Sequence, residues 1–164
     1  MVTFEEFLTA ELPGLARFAG ALTGDRQLAE DVLSDALLAV MPRWRRIERM
    51  ERPAAYVRQA VVNTYLSERR KASRRRTDPT SDADVFERGT PDMSEAVAGR
   101  DEAERLLARL TPQQRTAMVL RYLLDQDDPQ IAEALNCSAA TVRSHLSQAR
   151  AALRLSAPST LDGK

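Results

Sequence analysis

The chain has one cysteine, Cys137, one histidine, His145, and only six glycines among 164 residues. A lone cysteine excludes a disulfide framework within the chain. A lone histidine beside it leaves a histidine- or cysteine-based metal site, or a hydrolytic triad, without its residues. No metal, no cofactor and no enzymatic chemistry are therefore expected. No hydrophobic run approaches the length of a membrane span, and Glu5, Glu6 and Glu11 stand where a signal peptide would be basic. These absences predict a cytoplasmic protein with no direct membrane insertion. Aromatic residues make up 5% of the chain and no alternating β-branched run occurs, whereas Ala, Leu, Arg and Glu abound. The fold class expected is all-α.

A formal net charge of zero conceals an uneven distribution. Residues 1–42 carry two basic and seven acidic residues, 43–76 twelve and three, 77–104 two and nine, and 105–164 eight and five. Two stretches suited to a polyanion are thus separated by one that would repel it.

Thr3 and Glu6 have capping-box spacing, and Phe4, Phe7, Leu8, Leu12, Leu15, Phe18 and Leu22 follow on one helical face, with Pro13 expected to kink or divide the helix. Gly24 ends it. Asp25 caps a second helix to Met41 whose buried stripe is Leu28, Val32, Leu33, Ala36, Leu37 and Val40, leaving Glu30, Asp31, Ser34 and Asp35 outside. On residue pattern alone those acids read as a solvated face. Pro42 stops this helix, and the loop from Arg43 to Arg52 interleaves Trp44, Ile47 and Met50 with arginines. Trp44 is expected to anchor the core. Pro53 starts a long helix to Arg76, with Tyr56, Val57, Ala60, Val61, Tyr65 and Leu66 inward. Six of its last eight residues, 69–76, are cations, more than a helix C-terminus needs to offset its dipole. They suit phosphates.

Residues 77–93 hold turn formers and acids and read as a flexible acidic linker between two small helical domains, 1–76 and 94–155. Residues 156–164 read as a disordered tail. Order is expected again near Ser94, with Ala103, Leu106, Leu107 and Leu110 turned inward. Thr111, Pro112 and Gln114 then mark a capped helix to about Leu124. Asp128 and Pro129 read as a second cap-and-proline start, for a short helix to Leu135. Asn136, Cys137 and Ser138 make a turn, and a third helix runs from Ala139 to about Leu153 with Val142, Leu146, Ala149 and Leu153 facing a core. Its other side carries Ala139, Ala140, Thr141, Arg143, Ser144, Ser147 and Gln148. This is the pattern of a helix-turn-helix whose second helix enters a major groove.

The ordered combination resembles the bacterial extracytoplasmic-function (ECF) sigma factors of the sigma-70 family, in the small two-domain form. ALTGDRQLAEDVLSDALLAV followed by PRW is similar to their polymerase-gripping region 2 helix, and RPAAYVRQAVVNTYLSERRKASRRR to their promoter-opening helix. LTPQQRTAMVLRYLL and IAEALNCSAATVRSHLSQARAAL are similar to their region 4. The likeness extends over nearly all of residues 3–154. It implies that Glu30, Asp31, Ser34 and Asp35 dock on the clamp helices of the largest subunit of core RNA polymerase, which replaces the solvated-face reading. It also implies a contact with the flap of the second-largest subunit. The family's base-capturing loop falls on Ile47, Glu48, Arg49, Met50, Glu51 and Arg52. Asn63 falls near the −10 bases, Arg69, Arg70 and Arg74 on the DNA backbone, and the acidic linker toward the active-site cleft and RNA exit path.

The −35 element falls to Ala140, Thr141, Arg143, Ser144, His145, Ser147 and Gln148. Arg143 and Gln148 have the side chains for bidentate contacts to guanine and adenine, and Thr141 and Ser144 lie nearer phosphates. His145 and Gln148 depart from the family, which often has basic residues there. Promoter DNA, core polymerase and an anti-sigma factor are the partners implied. Two other functions fit parts of the pattern: a repressor or activator of response-regulator type, since TVRSHL also resembles that recognition helix, and a sigma-like adaptor that occupies polymerase without initiating.

Overall fold

Local signals place the helix ends. Thr3 and Glu6 form a reciprocal capping box, with Glu6 N–H donating to Thr3 Oγ1 at 3.1 Å and Thr3 N–H to Glu6 Oε2 at 2.8 Å. From it helix α1 runs over Phe4–Thr23. Gly24 closes α1 in the left-handed region at φ 69°, a conformation a side chain would strain. Asp25 Oδ1 accepts from the N–H groups of Gln27 and Leu28 and opens α2, Arg26–Val40. A 3-10 turn over Met41–Arg43 and the one-turn helix α3, Trp44–Ile47, lead to α4, Pro53–Arg76. Beyond the linker come α5, Glu102–Leu107, α6, Pro112–Tyr122, α7, Asp128–Leu135, and α8, Ala139–Ser156. The computed structural model describes residues 1–76 and 102–156, and among these no strand occurs. The linker 77–93, the return of order near Ser94, the side chain of Ala103 and the tail from residue 157 lie outside the described residues.

Pro13 does not divide α1. It lies on the exposed side, as does Thr9, whose carbonyl loses its donor, while buried Phe7, Leu15 and Phe18 hold the helix on either side. Leu12, counted with the inward face, is exposed. Trp44 does anchor the core: its rings lie 4.6 Å from Phe7 and 5.6 Å from Phe4, and Nε1 donates to the Val2 carbonyl at 2.9 Å. The sequence pattern missed Val62, which is fully buried. Helix α8 passes the predicted end at Leu153 and takes in Ser156.

Helices α1, α2 and α4 pack on one another, as do α6, α7 and α8, and α1 also packs against α5 and α6. The apolar core is continuous from Leu22 and Val61 to Leu120 and Val142. At the seam a charged side chain is buried. Arg115 of α6, 6% exposed, donates from Nε to the Leu22 carbonyl at 3.1 Å and from Nη1 to the Leu110 carbonyl at 3.3 Å. A Cβ on Gly24 would come within 2.6 Å of Arg115 Nη1, so this glycine serves both the turn and the close approach. Gln126 Nε2, donating to Gln59 Oε1 at 2.9 Å, adds a second polar tie between the halves.

Candidate nucleic-acid interface

The helix-turn-helix is built by its caps. Asn136 adopts φ 54° and ends α7, and its N–H points back to the Ala132 and Glu133 carbonyls. Cys137 N–H donates to the Ala132 carbonyl at 3.0 Å. Ser138 Oγ accepts from the Thr141 N–H at 3.1 Å and starts α8. Ile131 and Val142, both fully buried, lock the two helices together, with Ala132 small enough to let them approach. Burial pushes the Cys137 thiol above its ordinary pKa, which keeps it protonated and apolar in the turn.

Leu146 and Ala149 continue the buried stripe of α8, so the opposite side is free. Ala140, Thr141, Arg143, Ser144, Ser147 and Gln148 are all exposed on it, and His145 is half-buried at its edge. The structure therefore brings the seven residues expected at a −35 element onto one helix. Thr141 is partly engaged, its hydroxyl 2.9 Å from that of Ser138. Gln148 Oε1 accepts from Gln114 Nε2 at 3.2 Å, which leaves the Gln148 amide nitrogen pointing elsewhere.

Asp127, not Asp128, caps α7: its Oδ1 accepts from the Gln130 N–H at 2.9 Å, and Gln130 Oε1 accepts from the Asp127 N–H at 2.9 Å. A capping box sets cap and partner three positions apart, with two residues between, and Gln130 supplies the partner for Asp127 alone. Pro129 is tolerated one place later because first-turn N–H groups have no intrahelical acceptor. The Asp128 carboxylate instead meets two arginines, taking a hydrogen bond at Oδ1 from Arg121 Nη2 of α6 and standing 3.7 Å at Oδ2 from Arg143 Nη1 of α8.

The second basic surface is carried by α4 and the segment before it. Arg49, Glu51 and Arg52 are exposed, and Glu48 and Met50 are half-buried. Ile47, expected to touch a base, is 1% exposed within the core and cannot. The short helix α3 turns it inward beside Trp44, a consequence of helical rather than loop geometry over these residues. Asn63 is exposed and accepts from Gln59 Nε2 at 3.1 Å. Arg70 and Arg74 project into solvent, whereas the Arg69 guanidinium lies 5.8 Å above the ring of buried Tyr65.

Two family models match the chain. One, described as Sigma-70 region 2, matches residues 7–75, and the other, Sigma-70, region 4, matches residues 100–153. The RNA polymerase sigma-E factor of Streptomyces coelicolor is 34% identical over 154 residues, covering 94% of this chain and 85% of that protein. The chain belongs to the ECF sigma factors of the sigma-70 family. The ECF RNA polymerase sigma factor SigL of Mycobacterium tuberculosis is likewise 34% identical over 143 residues, covering 86% of this chain and 81% of its own. In fold, the chain resembles the sigma factor RpoE from Bartonella quintana, solved in complex with the anti-sigma factor NepR. The TM-score is 0.58 at 23% identity, over 93% of this chain and 94% of that one.

Within this sigma factor, region 2 carries an exposed acidic face as well. Glu30, Asp31, Ser34 and Asp35 are exposed on α2, beside Leu38, which is 64% exposed. Asp31, Ser34 and Asp35 border a groove of about 320 Å³ whose far wall includes Glu68 of α4. Sequence periodicity did not single out Glu68, because its place among arginines hides that it faces α2. Arg115 was also missed. Its position in a polar stretch of α6 carries no signal of burial, which only the docking of α6 on α1 creates. Among the described residues no cluster of three or more metal-ligating side chains occurs, and no helix is long and apolar enough to cross a membrane.

Proposed function

We propose that this sigma factor binds core RNA polymerase through the acidic face of α2 and directs promoter-specific initiation, with α4 engaging the −10 strand and α8 the −35 duplex. The observation carrying this reading is that two separate helix groups of one chain present different exposed polar surfaces, one dense in arginine and one with spaced donors. Residues 1–76 and 94–155 are the two functional units, joined by 77–93. Glu48, Arg49, Met50, Glu51, Arg52 and Asn63 read the opened strand, and Arg69, Arg70 and Arg74 hold its backbone. Ile47 serves instead to brace this segment from within.

Capturing a flipped base costs a few kcal/mol of unstacking. Single-strand contacts and the polymerase interface offset it, so no hydrolysis is needed and the chain works as a non-catalytic cytoplasmic regulator. On the duplex, Arg143 and Gln148 donate to base edges while Thr141 and Ser144 approach phosphates, with Ala140 and Ser147 keeping the helix close to the groove and His145 at its margin. An anti-sigma factor is a partner of the same class as that bound by the Bartonella quintana relative.

The test is reconstitution with sigma-free core polymerase and mapping of transcript starts on fragmented genomic DNA. Starts that share −35 and −10 elements are expected. Duplex binding without polymerase-dependent starts would instead identify a repressor, and polymerase binding with no starts an adaptor. Reversing Glu30, Asp31 and Asp35 to lysine is expected to abolish assembly with polymerase while leaving the helical circular-dichroism spectrum unchanged.

A further inference from the structure

The carboxylate of Asp128 is placed where the three helices of region 4 meet. It sits in the first turn of α7, receives Arg121 from α6 and faces Arg143 on α8. The cap of α7 is already supplied by Asp127, so helix initiation leaves this carboxylate free for another use. Exposure rises outward along the triad. The Asp128 side chain is 25% exposed, that of Arg121 32% and that of Arg143 63%. Arg121 Nε is buried without a hydrogen-bond partner, so its bond to Asp128 is the contact that seats this guanidinium in the domain. The inner arginine thus pins the carboxylate, whose second oxygen faces the outer arginine at 3.7 Å.

We propose that Asp128 is a positioning residue for −35 readout, orienting Arg143 so that the rest of its guanidinium meets a guanine edge. This rests on the reading of Arg143 as a base contact. A guanidinium has five donors in a rigid fork, so one nitrogen held by Asp128 leaves others for the two acceptors of guanine. A free arginine on an exposed helix face must give up much rotamer freedom to make that bidentate contact. One already tethered gives up less, and it is held away from neighbouring phosphates that would otherwise attract it. The carboxylate itself repels phosphate, and so it favours base over backbone as the guanidinium's second partner.

The experiment uses holoenzyme reconstituted from core polymerase and the full chain, on a mapped promoter and its single base-pair variants across the −35 element. Wild type, Asp128→Asn, Arg143→Ala and the double variant are compared. Arg143→Ala is expected to lose about tenfold discrimination at one base pair, the order of a lost bidentate contact. Asp128→Asn is expected to lose threefold or more of it, roughly, at that same pair, keeping other positions within about twofold, and to add nothing in the double variant. Asp128→Glu, which keeps charge at the start of α7 but moves the carboxylate, separates positioning from helix stability. It is expected to stay folded, melting at most about 2–4 °C below wild type through the disturbed Arg121 contact, yet to lose discrimination at that pair. Unchanged discrimination in both Asp128 variants would overturn the proposal, as would an Asp128→Asn effect that persists without Arg143. If Arg143→Ala leaves the −35 profile flat, the base-contact reading fails first, and the buttress with it. If wild type yields no polymerase-dependent starts, the proposed function itself fails, before any variant is compared.

Discussion

The exposed face of α8 and the C-terminal end of α4 both suit nucleic acid, and they do so by opposite means. Over residues 139–148, the first turns of α8, one arginine, Arg143, stands among small and polar residues whose spacing is set by caps at either side of a tight turn. On α4 charge is concentrated, with six cations in residues 69–76, and helix position matters less than density. A face that must distinguish base pairs needs few donors held in fixed places, whereas one that grips a strand of any sequence needs charge. The tertiary contacts follow this division. Arg143 and Gln148 each meet a residue of a neighbouring helix, Asp128 and Gln114.

The largest effect that would test this contrast comes from neutralising Arg69, Arg70 and Arg74 together to glutamine. Promoter binding by the holoenzyme should weaken for every sequence alike. Its salt dependence should flatten by about two in log–log slope, at roughly 0.7 per single-strand phosphate contact. A salt titration on several promoters measures both, and a change in base preference with an unchanged slope would erase the distinction. Gln148→Ala should do the reverse, costing about 1–3 kcal/mol of discrimination at one −35 base pair with little change in slope. A panel of promoter variants at two salt concentrations reads it.

A smaller effect is expected from Asp127→Ala, which removes the α7 cap at a cost of about 1 kcal/mol and lowers the melting temperature by roughly 2–4 °C. Because α7 supports α8, −35 discrimination should weaken with it, while binding to single-stranded DNA through α4 stays the same. The smallest concerns Cys137. Its pKa is raised by burial, so the neutral thiol is the folded form at neutral pH. Alkylation by iodoacetamide should be slower than for a free thiol at pH 8, and its rate should go on climbing with pH beyond the point where a free thiol levels off, or jump on unfolding. Fast labelling of the folded protein at pH 7 would show the turn to be looser than the cap geometry implies.

Much of the helix layout could be read from residues alone, because caps and breakers act over three or four positions. Thr3, Asp25, Pro53, Thr111 and Ser138 begin helices where expected, and Gly24 and Asn136 end them in left-handed backbone that few residues tolerate. The exposed faces of α2 and α8 followed from the same helical periodicity. Legibility stopped where a residue's role depends on what another helix brings to it. The spacing to Gln130 marks Asp127 as the cap within a local window, but the two arginines that make Asp128 a buttress come from α6 and α8. Ile47 read as a loop residue beside arginines, yet one turn of helix places it in the core.

The sequence by itself determined the all-α architecture, most helix starts, the uneven charge and the likeness to region 2 and region 4, since each depends on local spacing or composition. The tertiary structure alone decided that Arg115 would be buried against the Leu22 carbonyl, that Glu68 would join the acids of α2, and that Asp128 would stand between Arg121 and Arg143. These are contacts between residues distant along the chain or on different helices. Their geometry depends on how packed helices orient side chains, which no short window of residues encodes.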